Sequence, residues 1–298
     1  ARCFRDEDPR ADRVVEHTQL DIEMSFVEEN DILDLIEELY TTLVETLFPK
    51  KWVLKPFPRL TYAESIQIYG TDKPDLRFGL EMSDLSDIGT DTQFRVFQTA
   101  LSDGGIIKGF KAPGCANYTR RQIDEVTEFA KSKGAQGLVT IALNGEKAPI
   151  DGLAKDQVKS TIARFLSLEQ VKEIGRRTEA EIGDLVFIIA GPIKTTNMAL
   201  SALRHMMGSK LGLADHNLLA FAFVLDFPLF EWNEEEKQWD ATHHAFTMPK
   251  NGYDQYLEND PGQVIAHCYD LVCNGEELAS GSIRVHDRET QERIFKVL

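Results

Sequence analysis

The sequence predicts an α+β protein: one sheet-based core interrupted by an inserted α+β unit. Three observations carry that prediction. Residues 17–26 alternate apolar and polar side chains, the period of a strand. From about residue 90 to 205, helical and strand patterns alternate. Near the end, Asn274-Gly275 separates two apolar runs, the strongest short hairpin signal. The expected organisation is 1–88 for the first part of the core, 89–205 for the insertion and 206–298 for the second part.

In chain order, Thr18, Leu20, Ile22, Met24 and Phe26 share one face of the first strand, and Gln19, Asp21, Glu23 and Ser25 the other. The polar face is either a solvated edge or the lining of a site. Over residues 29–48 the period becomes helical, through Ile32, Leu33, Leu35, Ile36, Leu39, Leu43 and Leu47, with Asn30 or Asp31 as the expected cap. Pro56 and Pro58 end regular structure there. Thr119 with Gln122 and Ser167 with Gln170 are capping boxes. They open helices expected at 120–133 and up to about 177, and Gly134 fits a helix stop. Residues 137–143 and 184–190 are expected strands, and 196–210 a helix. Residues 218–225 and 264–273 complete the strand set.

Composition sets limits. The chain has 298 residues, 42% hydrophobic, enough for one large or two medium cores. No run of eighteen apolar residues is present, so no membrane span is expected. The first residues carry no initiator Met and no apolar leader, and the chain opens within a charged motif, so a truncated start is expected. Cys3, Cys115, Cys268 and Cys273 match no metal-site spacing and are expected to be free thiols, as in a cytoplasmic protein. The net charge of −16 makes the bulk protein a poor partner for nucleic acid. RNA contact therefore needs local basic clusters such as Arg2, Arg5, Arg10 and Arg13.

No P-loop, G-x-G-x-x-G or G-x-S-x-G is present. Three other clusters can carry chemistry. In residues 4–13 arginines and acids alternate ahead of the first strand. An Arg fork there can grip phosphate, or the segment is a solvated loop with weak ion pairs. In residues 241–249, adjacent His243 and His244 point opposite ways if extended, so one can face a carboxylate. In residues 268–284, a two-residue turn pairs Cys273 with Glu276 and Val272 with Glu277. Asp270 and Glu277 then share a face at the reach of one ion, or stand as two exposed acids. Arg284 returns to that face only if a bulge lies near Ala279-Ser280-Gly281.

In this order the clusters resemble the bacterial-type aspartyl-tRNA synthetases, a class II aminoacyl-tRNA synthetase family. Phe4-Arg5-Asp6-Glu7 through Glu16-His17-Thr18-Gln19-Leu20-Asp21 looks like motif 2. Asp226-Phe227-Pro228, His243-His244 and Asn274-Gly275-Glu276-Glu277 through Arg284 follow in family order. Residues from Gly104-Gly105 to Thr119-Arg120-Arg121-Gln122 resemble the inserted GAD domain shared with an archaeal amidotransferase subunit. The resemblance spans essentially the whole chain. It implies the class II antiparallel catalytic sheet flanked by helices, and ATP-dependent activation of L-aspartate to aspartyl-adenylate, followed by transfer to tRNA(Asp), with tRNA(Asn) left open.

By match to the motifs, Arg5 is the catalytic residue, holding both α-phosphate and aspartate. Asp6, Glu7, His17 and Glu277 face ATP. Gln19, Asp21, His243 and Arg284 face aspartate, and Asp270 and Glu277 hold Mg2+. A homodimeric, cytoplasmic parent is implied. Motif 1 and the anticodon barrel would precede Ala1 and motif 3 would follow Leu298, so little activity is expected of the chain alone. Val14 stands where bacterial members carry a nucleotide-contacting Gln, and Ala279 and Ser280 replace glycines. A non-catalytic synthetase relative and an amidotransferase subunit are the rival readings.

Overall fold

A computed structural model describes residues 1–6 and 14–298 of the chain. The fold is α+β and divides into two compact units. One joins Ala1–Arg59 to Phe221–Leu298, and the other is the continuous stretch Leu60–Ala220. The second unit is wider than the 89–205 expected for the insertion. Two of its helices differ from the expected pattern. The helix Tyr62–Tyr69 supplies backbone carbonyls of Ile66 and Gln67 that hold the buried Lys108 ammonium. The helix Ile193–Lys210 starts before residue 196, with Pro192 as its N-cap.

In the first unit the central feature is an antiparallel hairpin. Strand Cys268–Cys273 lies between Phe221–Leu225 and Glu276–Ser282. Its six residues are all buried, which is why they read as an apolar run rather than an alternation. The helix Glu29–Leu47 sets Tyr40 against Phe221, and Phe57 stacks on the same ring with centroids 4.9 Å apart. Its cap differs from the expected one. Glu28 takes the N-cap position, and Asp31, at the third helical position, accepts the Glu28 N–H at 2.8 Å. Asp31 is the right capping side chain, acting from inside the first turn.

The expected strand over residues 17–26 is mostly not formed. Arg2–Phe4 and Glu16–Thr18 pair as a separate two-stranded sheet, Cys3 opposite His17. Beyond Thr18 the chain is irregular, and Phe26 takes a positive φ of 59°. Leu20 is 74% exposed and Phe26 fully so. The alternation marks an amphipathic strand, but a strand also needs a neighbour for its N–H and C=O groups. Gln19 still exchanges backbone hydrogen bonds with Ala1, at 2.8 and 2.6 Å, but among the described residues no strand pairs with 20–26.

The second unit is a five-stranded antiparallel sheet with hydrophobic clusters on both faces. Leu185–Gly191 is its central strand, between Ile106–Ala112 and Val139–Leu143. Phe187 and Ile189 pack with Val126, Ala199, Leu200 and Leu203. Val186 and Ile188 pack with Phe97, Ile141, Val171 and Ile174 on the other side. Both capping boxes are present, with Thr119 accepting from the Gln122 N–H and Ser167 from the Gln170 N–H. Among the described residues no helix is long and apolar enough to cross a membrane.

Candidate active site

The site grows out of the hairpin. Asn274 and Gly275 take φ values of 55° and 92°, the mirror-image turn that matches strand twist. The register is the expected one at the turn, Cys273 opposite Glu276 and Val272 opposite Glu277. The register then shifts, and Leu271 faces Ala279. The bulged residue is therefore Leu278, just before the expected stretch. Past it, Asp270 faces Ser280 and Cys268 faces Ser282. Opposed residues point to the same side of a sheet, so Asp270, Glu277, Ser280 and Ser282 share one face. Two residues on, the same alternation brings Arg284 to that face.

A neighbouring segment completes the cluster. The backbone of residues 246–249 bonds to both sides of it: Val285 N–H to the Phe246 carbonyl, Met248 N–H to Ile283, and His267 N–H to Met248. Thr247 pairs with Arg284 as an isolated bridge. This seats His244 and Phe246 beside Arg284. The His244 ring stacks on Phe246 with centroids 3.9 Å apart, and the Arg284 guanidinium lies 4.9 Å from the Phe246 centroid. Arg284 Nη1 contacts His244 Nε2 and donates to the Ser282 hydroxyl at 2.6 Å. Burial, and then the Arg284 charge, lower the His244 pKa. A neutral imidazole accepts from the guanidinium, and Thr247 Oγ1 sits 2.9 Å from the other ring nitrogen.

His243 turns the opposite way, towards Asp270. Its Nε2 is 3.7 Å from Asp270 Oδ1, a charge contact longer than a hydrogen bond. The Phe227 ring meets it edge-on at 4.8 Å. Asp270 is only 1% exposed. Its carboxylate, followed by Cys268, lifts the His243 pKa to about 10 despite the opposing effect of burial. The two adjacent histidines therefore carry different charge at neutral pH.

The other expected site residues lie on the first hairpin. Arg5 and Asp6 are exposed, and the Arg5 backbone N–H bonds to the Val15 carbonyl at 2.8 Å. His17 is half-buried opposite Cys3. Gln19 donates to Asp21 through its side-chain amide. Glu7 lies outside the described residues. Arg5 lies on this first hairpin, a two-stranded sheet separate from the one that carries the 268–282 hairpin. Among the described residues, 20–26 join no strand, and the first hairpin stays a sheet of its own.

One polar cluster escapes a reading by motif. Lys250 bridges Asp226 and Glu29, and His267 Nδ1 lies 2.8 Å from Glu29 Oε2. Burial would raise the Glu29 pKa, but His267 and Lys250 outweigh it and hold it below the usual range. Glu29, Lys250 and His267 are far apart in sequence, and only Asp226 belongs to a quoted motif.

For Mg2+, the shared hairpin face offers the carboxylates of Asp270 and Glu277 and the hydroxyl of Ser280. These are oxygen donors, the kind this ion takes. Among the described residues no three His, Cys, Asp or Glu side chains form a metal cage.

Comparison with known proteins covers the whole chain. The "Aspartate--tRNA(Asp/Asn) ligase" of Dehalococcoides mccartyi (strain CBDB1) is 48% identical over 298 residues, all of this chain and 50% of the relative. The protein of that name from Rubrobacter xylanophilus is 44% identical over 298 residues, and that from Thermoanaerobacter pseudethanolicus 47% over 299, each covered to 48%. The chain spans about half the length of the curated relatives it matches. The family described as "tRNA synthetases class II (D, K and N)" matches residues 1–298, from the Arg5 hairpin through Arg284; the chain belongs to that family.

Proposed function

We propose that this chain is the central part of an aspartate–tRNA ligase. The whole enzyme joins L-aspartate to ATP, releasing pyrophosphate, and passes the aspartyl group to the 3′ end of tRNA(Asp). The names of its relatives extend the same proposal to tRNA(Asn). One observation supports the reading above all: Arg284, His243, His244 and Asp270 gather around one face of the hairpin. A guanidinium fork binds a carboxylate in two parallel hydrogen bonds, which an amide cannot match. Phe246 and His244 hold that fork in plane, which favours aspartate over asparagine.

In this reading Arg284 and the protonated His243 draw the aspartate side chain, while Gln19 and Asp21 orient its ammonium group. Arg5 steadies the α-phosphate as an aspartate carboxylate oxygen attacks phosphorus and pyrophosphate leaves. Its fixed charge offsets the charge building on the phosphoryl oxygens. Asp6, Glu7 and His17 contact the nucleotide. Asp270 and Glu277 would hold Mg2+, which supplies positive charge to the ATP phosphates. The tRNA terminal hydroxyl then attacks the adenylate carbonyl and AMP departs. Arg2, Arg10 and Arg13 supply local positive charge for RNA on an otherwise acidic chain. A cytoplasmic homodimer is proposed for the whole enzyme, with residues 60–220 as its GAD-type insertion.

The test is aspartate-dependent exchange of pyrophosphate into ATP. The 298-residue chain alone is expected to give little exchange, and a chain extended to the relatives' full length to give robust exchange. In the extended enzyme, Arg284→Lys is expected to raise KM for aspartate by about tenfold or more, with far less change for ATP. An equal loss for both substrates would assign Arg284 a structural role instead.

A further inference from the structure

Lys250 is not among the residues that the proposed chemistry uses, yet it joins the segments that carry them. Its ammonium donates to the Asp226 carboxylate and lies 3.8 Å from Glu29 Oε1. The other Glu29 oxygen meets His267 Nδ1 at 2.8 Å. All four side chains are largely shielded, Glu29 most of all at 15% exposure. Solvent screens such a group less than it screens surface pairs, and removing one partner leaves an uncompensated charge.

The backbone shows what this clasp fixes. Asp226 follows the strand Phe221–Leu225 with a positive φ of 63°. Side chains disfavour that conformation, and it persists where the surroundings impose it. The next residue, Phe227, meets the His243 ring edge-on at 4.8 Å. Lys250 itself directly follows residues 246–249, the segment that seats Phe246 and His244 beside Arg284. Residues 265–266 run between the two, with Pro228 opposite Ile265 and Pro249 opposite Ala266. The Lys250 N–H bonds to the Ile265 carbonyl at 2.8 Å, and its side chain reaches Asp226 beyond that middle segment. One ammonium thus ties the support of His243 to the support of Arg284. Glu29 adds a third anchor, the first residue of helix Glu29–Leu47.

We propose, on the aspartate–tRNA ligase reading, that Lys250 is a positioning residue for aspartate: paired with Asp226 and Glu29, it sets Phe227 against His243 and Phe246 beside Arg284. It acts through those side chains and touches no substrate. ATP is assigned to the Arg5 hairpin and Glu277, which the clasp does not hold, so the effect falls on aspartate.

The experiment is pyrophosphate exchange in the enzyme extended to the relatives' full length, with aspartate and ATP varied separately. Lys250→Met keeps a long side chain and removes its charge. It is expected to raise KM for aspartate about tenfold, the scale on which small displacements act, with kcat and KM for ATP within about twofold. Asp226→Asn breaks the same pair from the other side, and asparagine tolerates the positive φ. Here KM for aspartate should rise about threefold or more. Lys250→Arg restores a cation and should recover most of the loss. A purely structural lysine gives another pattern: lower kcat and a lower melting temperature, with KM for aspartate unchanged. That pattern in Lys250→Met and Asp226→Asn, an equal rise in KM for both substrates, or no change would overturn the proposal. Should Lys250→Met fail to fold, Asp226→Asn decides by the same readings. Exchange without dependence on aspartate in the unmodified extended enzyme would refute the ligase reading itself, and the role of Lys250 with it. With normal exchange in the unmodified enzyme, the outcomes above refute the role of Lys250 alone.

Discussion

His243 and His244 are neighbours in sequence with opposite environments. His243 meets the buried Asp270 carboxylate, which lifts its pKa to about 10. His244 meets the Arg284 guanidinium, and burial with that charge lowers its pKa. Protonation of His243 is tighter in the folded chain than at its ordinary value of 6.5. Its contribution to stability is therefore complete below pH 6.5 and is lost as pH rises towards about 10. Nitrogen-15 spectra of the histidine rings across pH 6–10, a range set by the ordinary pKa and this upward shift, should show His243 protonated and His244 neutral at pH 7.5. Finding His243 neutral there would remove the charge pair with Asp270. At the same scale, Phe246→Leu keeps an apolar side chain but removes the ring beneath Arg284. In the extended enzyme it should weaken aspartate binding by several-fold, on the order of 1 kcal/mol, and leave ATP binding nearly unchanged.

Among the elements, the hairpin 268–282 is the one on which the site depends. Its turn needs a left-handed backbone at both central positions, and Gly275 sits at φ 92°. Gly275→Ala is expected to destabilise the chain by about 1–2 kcal/mol, the cost of placing a Cβ in that region. Urea denaturation measures it, and a neutral result would mean that the turn relaxes to another type. The Leu278 bulge has a different role. A bulge places two residues against one, so everything after it changes side. Deleting Leu278 should turn Arg284 to the far face and abolish exchange in the extended enzyme. Were exchange retained, another residue would bind the aspartate side chain. The first strand makes the opposite point. Its alternating sequence is intact, but its apolar row Leu20, Ile22, Met24 and Phe26 is exposed, because pairing requires a partner strand.

For the molecule as a whole, the division into 1–59 with 221–298 and 60–220 predicts separable folding. The second unit has hydrophobic clusters on both faces of its own sheet. Residues 60–220 expressed alone should unfold cooperatively in urea and retain near-ultraviolet circular dichroism. Loss of that signal with retained secondary structure would mean that the insertion depends on the rest of the chain.

Local chemistry is legible in the residues alone. The capping boxes at Thr119 and Ser167, the Asn274-Gly275 turn and the apolar strand 185–191 each depend on a few adjacent residues, and short-range sterics and hydrogen bonding suffice to specify them. The order of the motifs was also enough to indicate the family. Tertiary structure decided the rest. The position of the bulge depends on which carbonyl meets which N–H across two strands, so Leu278 rather than its neighbours is displaced. Which histidine meets Arg284 depends on how residues 246–249 dock between two other segments. The Glu29–Lys250–Asp226–His267 cluster unites residues more than two hundred positions apart, and no local pattern encodes such a meeting. The irregular course of residues 20–26 has the same origin: alternation specifies which face is apolar, while a neighbouring backbone decides whether a strand exists.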